Sequence, residues 1–137
     1  MGSLKAFKVD PKAEVEGVWV PVGGGIRIRL ARAGNPKFRE GFEALVRARK
    51  ASLRLGALPR EELEDIGREV MAKYIILGWE NVTEEDEKTP IPYSEENAKR
   101  LLKEYPVFAD LISEQSQDIS LFQEQESAEA ESVLGEG

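Results

Sequence analysis

Gly17-Val18-Trp19-Val20-Pro21-Val22-Gly23-Gly24-Gly25-Ile26-Arg27-Ile28-Arg29-Leu30 is the stretch that decides the fold. Val18, Val20 and Val22 alternate with Trp19 on one side of the glycines. Ile26, Ile28 and Leu30 alternate with Arg27 and Arg29 on the other. Period-two patterning on both sides of a glycine turn predicts a β-hairpin with one apolar face. Trp19 then shares the outer face with Arg27 and Arg29, where a cation–π contact is available. An isolated hairpin is marginal in water, so its apolar face requires cover from helices or from another chain.

The cover follows in the chain. Asn35-Pro36 supplies an N-cap and a proline at the first helical position, ahead of Phe38, Phe42, Leu45, Val46 and Leu53 at helical spacing. Gly56 is the expected residue beyond the helix end. Leu58-Pro59 opens a second helix with Glu61, Glu62 and Glu64 in its first turn and a stripe of Leu63, Ile66, Val70, Tyr74 and Leu77. Gly67 marks an expected close crossing by a neighbouring element, and Gly78 is the expected terminator. Ser94 caps a short helix holding Ala98, Leu101 and Leu102. Tyr105-Pro106 interrupts it, because the residue before a proline is disfavoured in the α region. Val107, Phe108, Leu111 and Ile112 start a last helix that Ile119 and Phe122 extend.

The fold class is therefore α+β and predominantly α: an N-terminal β-hairpin, a small bundle of about four helices and a disordered acidic C-terminal tail. The division is a flexible arm over 1–13, one domain over 14–122 and the tail over 123–137, where Glu, Ser, Ala and Gly leave almost nothing to bury.

Composition narrows the chemistry. The chain has 137 residues and neither cysteine nor histidine. Disulfides, thiolate metal sites and Ser-His or Cys-His nucleophiles are thereby excluded, as is the commonest general base near neutrality. No apolar run approaches the roughly 20 residues that span a bilayer. The first residues lack the apolar core of a secretory signal, and Ala6 stands where a myristoylation signal needs Ser or Thr. The triple glycine lacks the following Gly-Lys-Ser/Thr of a phosphate loop. Glu84 to Glu87 lack the alternation and glycine of a calcium loop. Carboxylate pairs such as Glu61 and Asp65 are ordinary on helix surfaces. No catalytic, metal-binding or cofactor-binding residue is expected, and the chain reads as a non-enzyme.

Charge is divided along the chain. Residues 1–60 hold 13 Lys and Arg against 5 Asp and Glu, a balance of +8, whereas residues 61–137 hold 6 against 21, a balance of −15. Two oppositely charged halves suit intramolecular pairing or self-association, since an acidic second half repels a polyanion. The alternative is a nucleic-acid-binding accessory protein that uses the basic face of residues 27–54, with Arg39, Arg47, Lys50 and Arg54.

The aromatic set has two readings. Trp79 and Tyr93 bracket the acidic loop Thr83–Thr89, either to staple it to the helices or, with Tyr105, Phe108 and Phe122, to anchor a partner. Leu111 and Ile112 on the terminal helix are likewise core or interface. The candidate partner-binding set is Trp79, Tyr93, Tyr105, Phe108, Leu111, Ile112 and Phe122.

In order along the chain stand Gly17-Val18-Trp19-Val20, then Ile28-Arg29-Leu30-Ala31-Arg32-Ala33-Gly34-Asn35-Pro36-Lys37-Phe38, then Gly78-Trp79-Glu80-Asn81-Val82. Pro90-Ile91-Pro92-Tyr93-Ser94-Glu95-Glu96-Asn97-Ala98 and Leu101-Leu102-Lys103-Glu104-Tyr105-Pro106 follow. This series, over roughly 14–122, resembles the tail assembly chaperones of long-tailed bacteriophages and prophages. The resemblance implies a mainly helical protein of the host bacterial cytoplasm, absent from the mature virion. It further implies a protein that coats the tape measure protein, keeps its apolar helices soluble and recruits tail tube protein. A longer frameshifted form, joined in the 123–137 region, is also a family trait. Trp79, Asn81, Val82, Tyr93, Ser94 and Asn97 are its landmarks here. The loop Thr83–Thr89 lacks the Asp-Gly turn expected before Pro-Ile-Pro, which predicts a longer or looser loop between unchanged helices.

Overall fold

The computed structural model describes residues 2–123. The hairpin forms as the alternation requires: β1 (Val18–Gly23) pairs antiparallel with β2 (Ile26–Leu30), Val20 opposite Ile28. Ile28 and Leu30 are fully buried and Val20 nearly so, whereas Trp19 faces outward with the Arg27 guanidinium 5.2 Å from its ring centroid. After β2, Asn35 accepts a hydrogen bond from the Phe38 amide at 3.0 Å, and Pro36 opens α2 (Pro36–Leu53). Next come α3 (Arg60–Tyr74), α4 (Glu95–Glu104), capped by Ser94, and α5 (Pro106–Ser116).

A third strand stands where the sequence predicts the end of a helix. The second helix stops at Tyr74, and β3 (Ile76–Glu80) lies antiparallel against β2, which makes β2 the centre of a three-stranded sheet. Trp79, Gly78 and Ile76 oppose Ile28, Arg29 and Leu30, so Leu77 is the extra residue of a bulge. The bulge turns both Ile76 and Trp79 toward the core, three residues apart. That interval matches a helical stripe, and it is why Leu77 reads as helical and Gly78 as a terminator.

The helices cover one face of the sheet. Val20, Ile28, Leu30, Ala72, Ile75, Ile76, Trp79, Ile91, Ala98, Leu101, Leu102 and Ile112 form one buried cluster. The segment assigned to an arm carries a 3-10 turn (Leu4–Phe7) and a short helix, α1 (Pro11–Glu16), capped by Asp10. Backbone bonds join it to the rest, from Asp10 N–H to Phe122 O at 2.7 Å and from Arg32 N–H to Glu14 O at 3.0 Å, beside an Arg32–Glu14 ion pair. Gly17, at φ 84, takes the turn into β1, where a Cβ would press on the Leu30 carbonyl at 2.9 Å.

Three smaller expectations change. Helix α2 ends at Leu53 with Arg54, not a glycine, in the left-handed region at φ 56. The close helix crossing is at Gly41, where a Cβ would overlap the Tyr74 ring, while Gly67 faces open space. Helix α5 stops at Ser116, so Ile119–Phe122 forms a separate 3-10 turn. Of the expected acidic tail, only Gln123 lies within the described residues.

Candidate functional site

The segment between β3 and α4 is built from side chains that bond to backbone. Trp79 is buried, and its Nε1–H donates to the Ile91 carbonyl at 2.7 Å. The Tyr93 hydroxyl donates to the Ile76 carbonyl at 2.7 Å, and the two rings lie 5.3 Å apart, tilted by 31°. Burial first, and then the Glu95 charge, push the Tyr93 phenol above its ordinary pKa, so it stays a donor at neutral pH. Asn81 adopts φ 64, tolerable for Asn, and its amide donates to the Gly25 carbonyl at 3.0 Å. Ser94 accepts from the Asn97 amide while the Asn97 side chain donates to the Pro92 carbonyl, each at 2.9 Å. These landmark residues tie the segment to the sheet and to α4.

The acidic loop is closed rather than loose. Thr83 bridges Pro90, the Glu84 amide donates to the Thr89 carbonyl at 2.8 Å, and the Ile91 amide donates to the Val82 carbonyl at 2.8 Å. Asp86 accepts from the Lys88 and Thr89 amides and from the Thr89 hydroxyl, which holds its carboxyl below the usual range. Glu87 follows at φ 60. Asp86-Glu87 therefore occupies the place of the expected Asp-Gly turn, with a non-glycine residue in the left-handed position.

Beside this loop lies an open, largely apolar groove of about 310 Å³. Ile26 comes from the start of β2, Val82 and Ile91 from the two stems of the loop, and Leu101 from α4. Tyr105, Val107 and Phe108 come from the α4–α5 junction, and Thr83 and Glu85 complete the lining. The junction exists because Pro106 forces Tyr105 out of the helical region, to φ −121 and ψ 82, while starting α5 itself. Val107 is 81% exposed. Burial first, then Glu85, Glu104 and Glu84, push the Tyr105 phenol above its ordinary value. Glu84 and Glu104 are both paired with Arg100, at 2.9 and 3.1 Å, whereas Glu85 makes no ion pair among the described residues.

Of the seven candidate residues, Tyr105 and Phe108 line the groove. Trp79 and Tyr93 stand behind its floor through Ile91 and β3. Leu111 is half-buried on α5, and Ile112 and Phe122 are fully buried. Trp79 is 8% exposed, and none of Trp79, Ile112 and Phe122 lines the groove. Ile26, Val82, Ile91, Leu101 and Val107 complete the groove but are absent from the candidate set, because their convergence depends on the third strand and the closed loop.

Among the described residues no group of three or more Asp, Glu, His or Cys side chains is placed to hold a metal ion. No helix among them is long and apolar enough to cross a membrane. Of the basic residues over 27–54, Arg27 pairs with Glu80, Arg32 with Glu14, and Arg49 with Glu62, Asp65 and Glu69, whereas Arg39, Arg47, Lys50 and Arg54 make no ion pair among the described residues.

Fold and groove together define a small α+β protein with an apolar surface site. A family model described as YdaY prophage protein matches residues 33–132, and the chain belongs to that prophage family. No curated protein and no solved structure gives a significant match. The family places the chain among phage and prophage proteins, which is the broader part of the resemblance stated above.

Proposed function

We propose that this prophage protein is a non-catalytic tail assembly chaperone whose groove takes an apolar helical segment of the tape measure protein. It keeps that segment soluble in the host cytoplasm, promotes assembly of the tail tube protein around it, and leaves before the virion matures. The carrying observation is the open groove, with Val107 81% exposed at its edge and Glu85 unpaired at its rim. An exposed apolar concavity with a polar rim suits helix-in-groove recognition. The resemblance carried by the ordered series of sequence motifs supports this choice of partner, and the Glu85 carboxylate favours a segment flanked by Lys or Arg.

Covering a valine side chain fully contributes about 1.5–3 kcal/mol, and each 1.4 kcal/mol is about tenfold in affinity. Val107→Glu, at a position with almost no folded-state contact, is expected to weaken partner binding by tenfold or more at unchanged stability. The test is co-expression with the cognate tape measure protein. The wild-type chain should carry it into the soluble fraction, and Val107→Glu should not. A tape measure protein that stays insoluble beside the wild-type chain, or is rescued equally by the variant, would refute the proposal.

A further inference from the structure

Helix α2 runs for 18 residues without one fully buried side chain, despite the stripe of Phe38, Phe42, Leu45, Val46 and Leu53. Its partner is α3, antiparallel to it across the connection 54–59 and tied to it by Arg49, whose guanidinium bonds Glu62 and lies 3.5 Å from Asp65. At the tip of this helical hairpin the core stops but the leucines continue. Leu53 is 43% exposed, Leu55 42% and Leu63 39%.

The charges around those leucines are sorted by helix. The α2 side of the tip carries Arg47, Lys50 and Arg54, none of them in an ion pair among the described residues. The α3 side carries Glu61, Glu62 and Glu64 in its first turns; Glu62 is held by Arg49, and Glu64 meets Arg60, the first residue of α3, at 2.9 Å while staying about half exposed. The change of sign along the whole chain, from +8 over residues 1–60 to −15 beyond, falls at Arg60-Glu61 within this tip. A patch with an apolar centre, one basic edge and one acidic edge is complementary to itself under a two-fold rotation, which brings each basic edge against the other acidic edge.

We infer that the α2–α3 tip is a homodimer interface, in which Leu53, Leu55 and Leu63 of two copies meet and Arg47 and Arg54 of each face Glu61 and Glu64 of the other. This does not depend on what the groove binds. The occupant is a second copy because the patch carries both signs beside its leucines and so complements its own charge pattern.

The test is sedimentation velocity on the full chain across the micromolar range, at low and moderate salt. The wild-type chain should be dimeric, with association weakening as salt rises. Arg47→Glu/Arg54→Glu and Glu61→Lys/Glu64→Lys should each raise the dimer dissociation constant by at least about tenfold, and mixing the two variants should restore a dimer. Leu53→Glu should dissociate it with unchanged circular dichroism, and Val107→Glu should leave it intact. A wild-type monomer throughout the range, or charge variants that dimerise normally, would overturn the inference. So would a mixture that fails to reassociate, or bound nucleic acid that Arg47→Glu/Arg54→Glu removes without change of mass.

Discussion

Trp79 shows how a residue that marks the chain can shape the groove from behind without lining it. Its indole is buried and donates to the carbonyl of Ile91, a residue of the groove floor. Trp79→Phe keeps most of the volume but leaves that carbonyl unpaired, at a cost of about 1–3 kcal/mol. Urea denaturation should show that loss, and an unchanged midpoint would mean that the bond contributes nothing. Glu87 is the converse case, a local misfit at φ 60. The left-handed conformation costs about 1–2 kcal/mol for a residue with a Cβ, against about 0.5–1 kcal/mol of extra chain entropy for glycine. Glu87→Gly is therefore expected to raise stability by about 0.5–1 kcal/mol in the same measurement, by restoring the Asp-Gly turn whose absence is visible in the sequence.

Among the elements, the two helical glycines make opposite demands. Gly67 lies within α3 with open space where a Cβ would stand, so Gly67→Ala should stabilise by up to about 1 kcal/mol through helix propensity alone. Gly41→Ala has the same propensity gain but drives a methyl into the Tyr74 ring, so it should stabilise less than Gly67→Ala or destabilise. Thermal melts of the two variants separate these outcomes, and equal gains would contradict the packing of α2 on α3. Sequence reading places the close crossing at Gly67 and passes over Gly41, because a close approach depends on which helix face the neighbouring helix covers. It succeeds where the determinant is local: the hairpin alternation, the Asn35-Pro36 start, the Ser94 cap and the Tyr105-Pro106 break. It misses β3 because the bulge at Leu77 gives a strand a helical interval, and the groove is missed with it, since Ile26, Val82 and Ile91 converge only around a third strand.

For the whole molecule, Asp65 is where the charge division along the chain becomes structure. It lies on α3 within 3.5 Å of Arg49 on α2 and 3.4 Å of Lys99 on α4. Partial burial pushes its carboxyl upward, but Lys99 and Arg49 outweigh that and hold it below the ordinary 3.8. A depressed folded pKa contributes stability that is complete above the unfolded value and is lost as pH falls through the folded one. Stability should therefore decline below the ordinary carboxylate range, and Asp65→Asn should flatten that decline in acid denaturation. An identical acid limb in the variant would show that the helices are not held by this carboxylate. The central claim concerns the opposite end of α4, at the groove. Hydrogen exchange on the chain alone and copurified with tape measure protein tests it most directly. Slowing should concentrate at Val82 to Ile91 and Leu101 to Phe108, and exchange that is unchanged there, or slowed only elsewhere, would contradict the account.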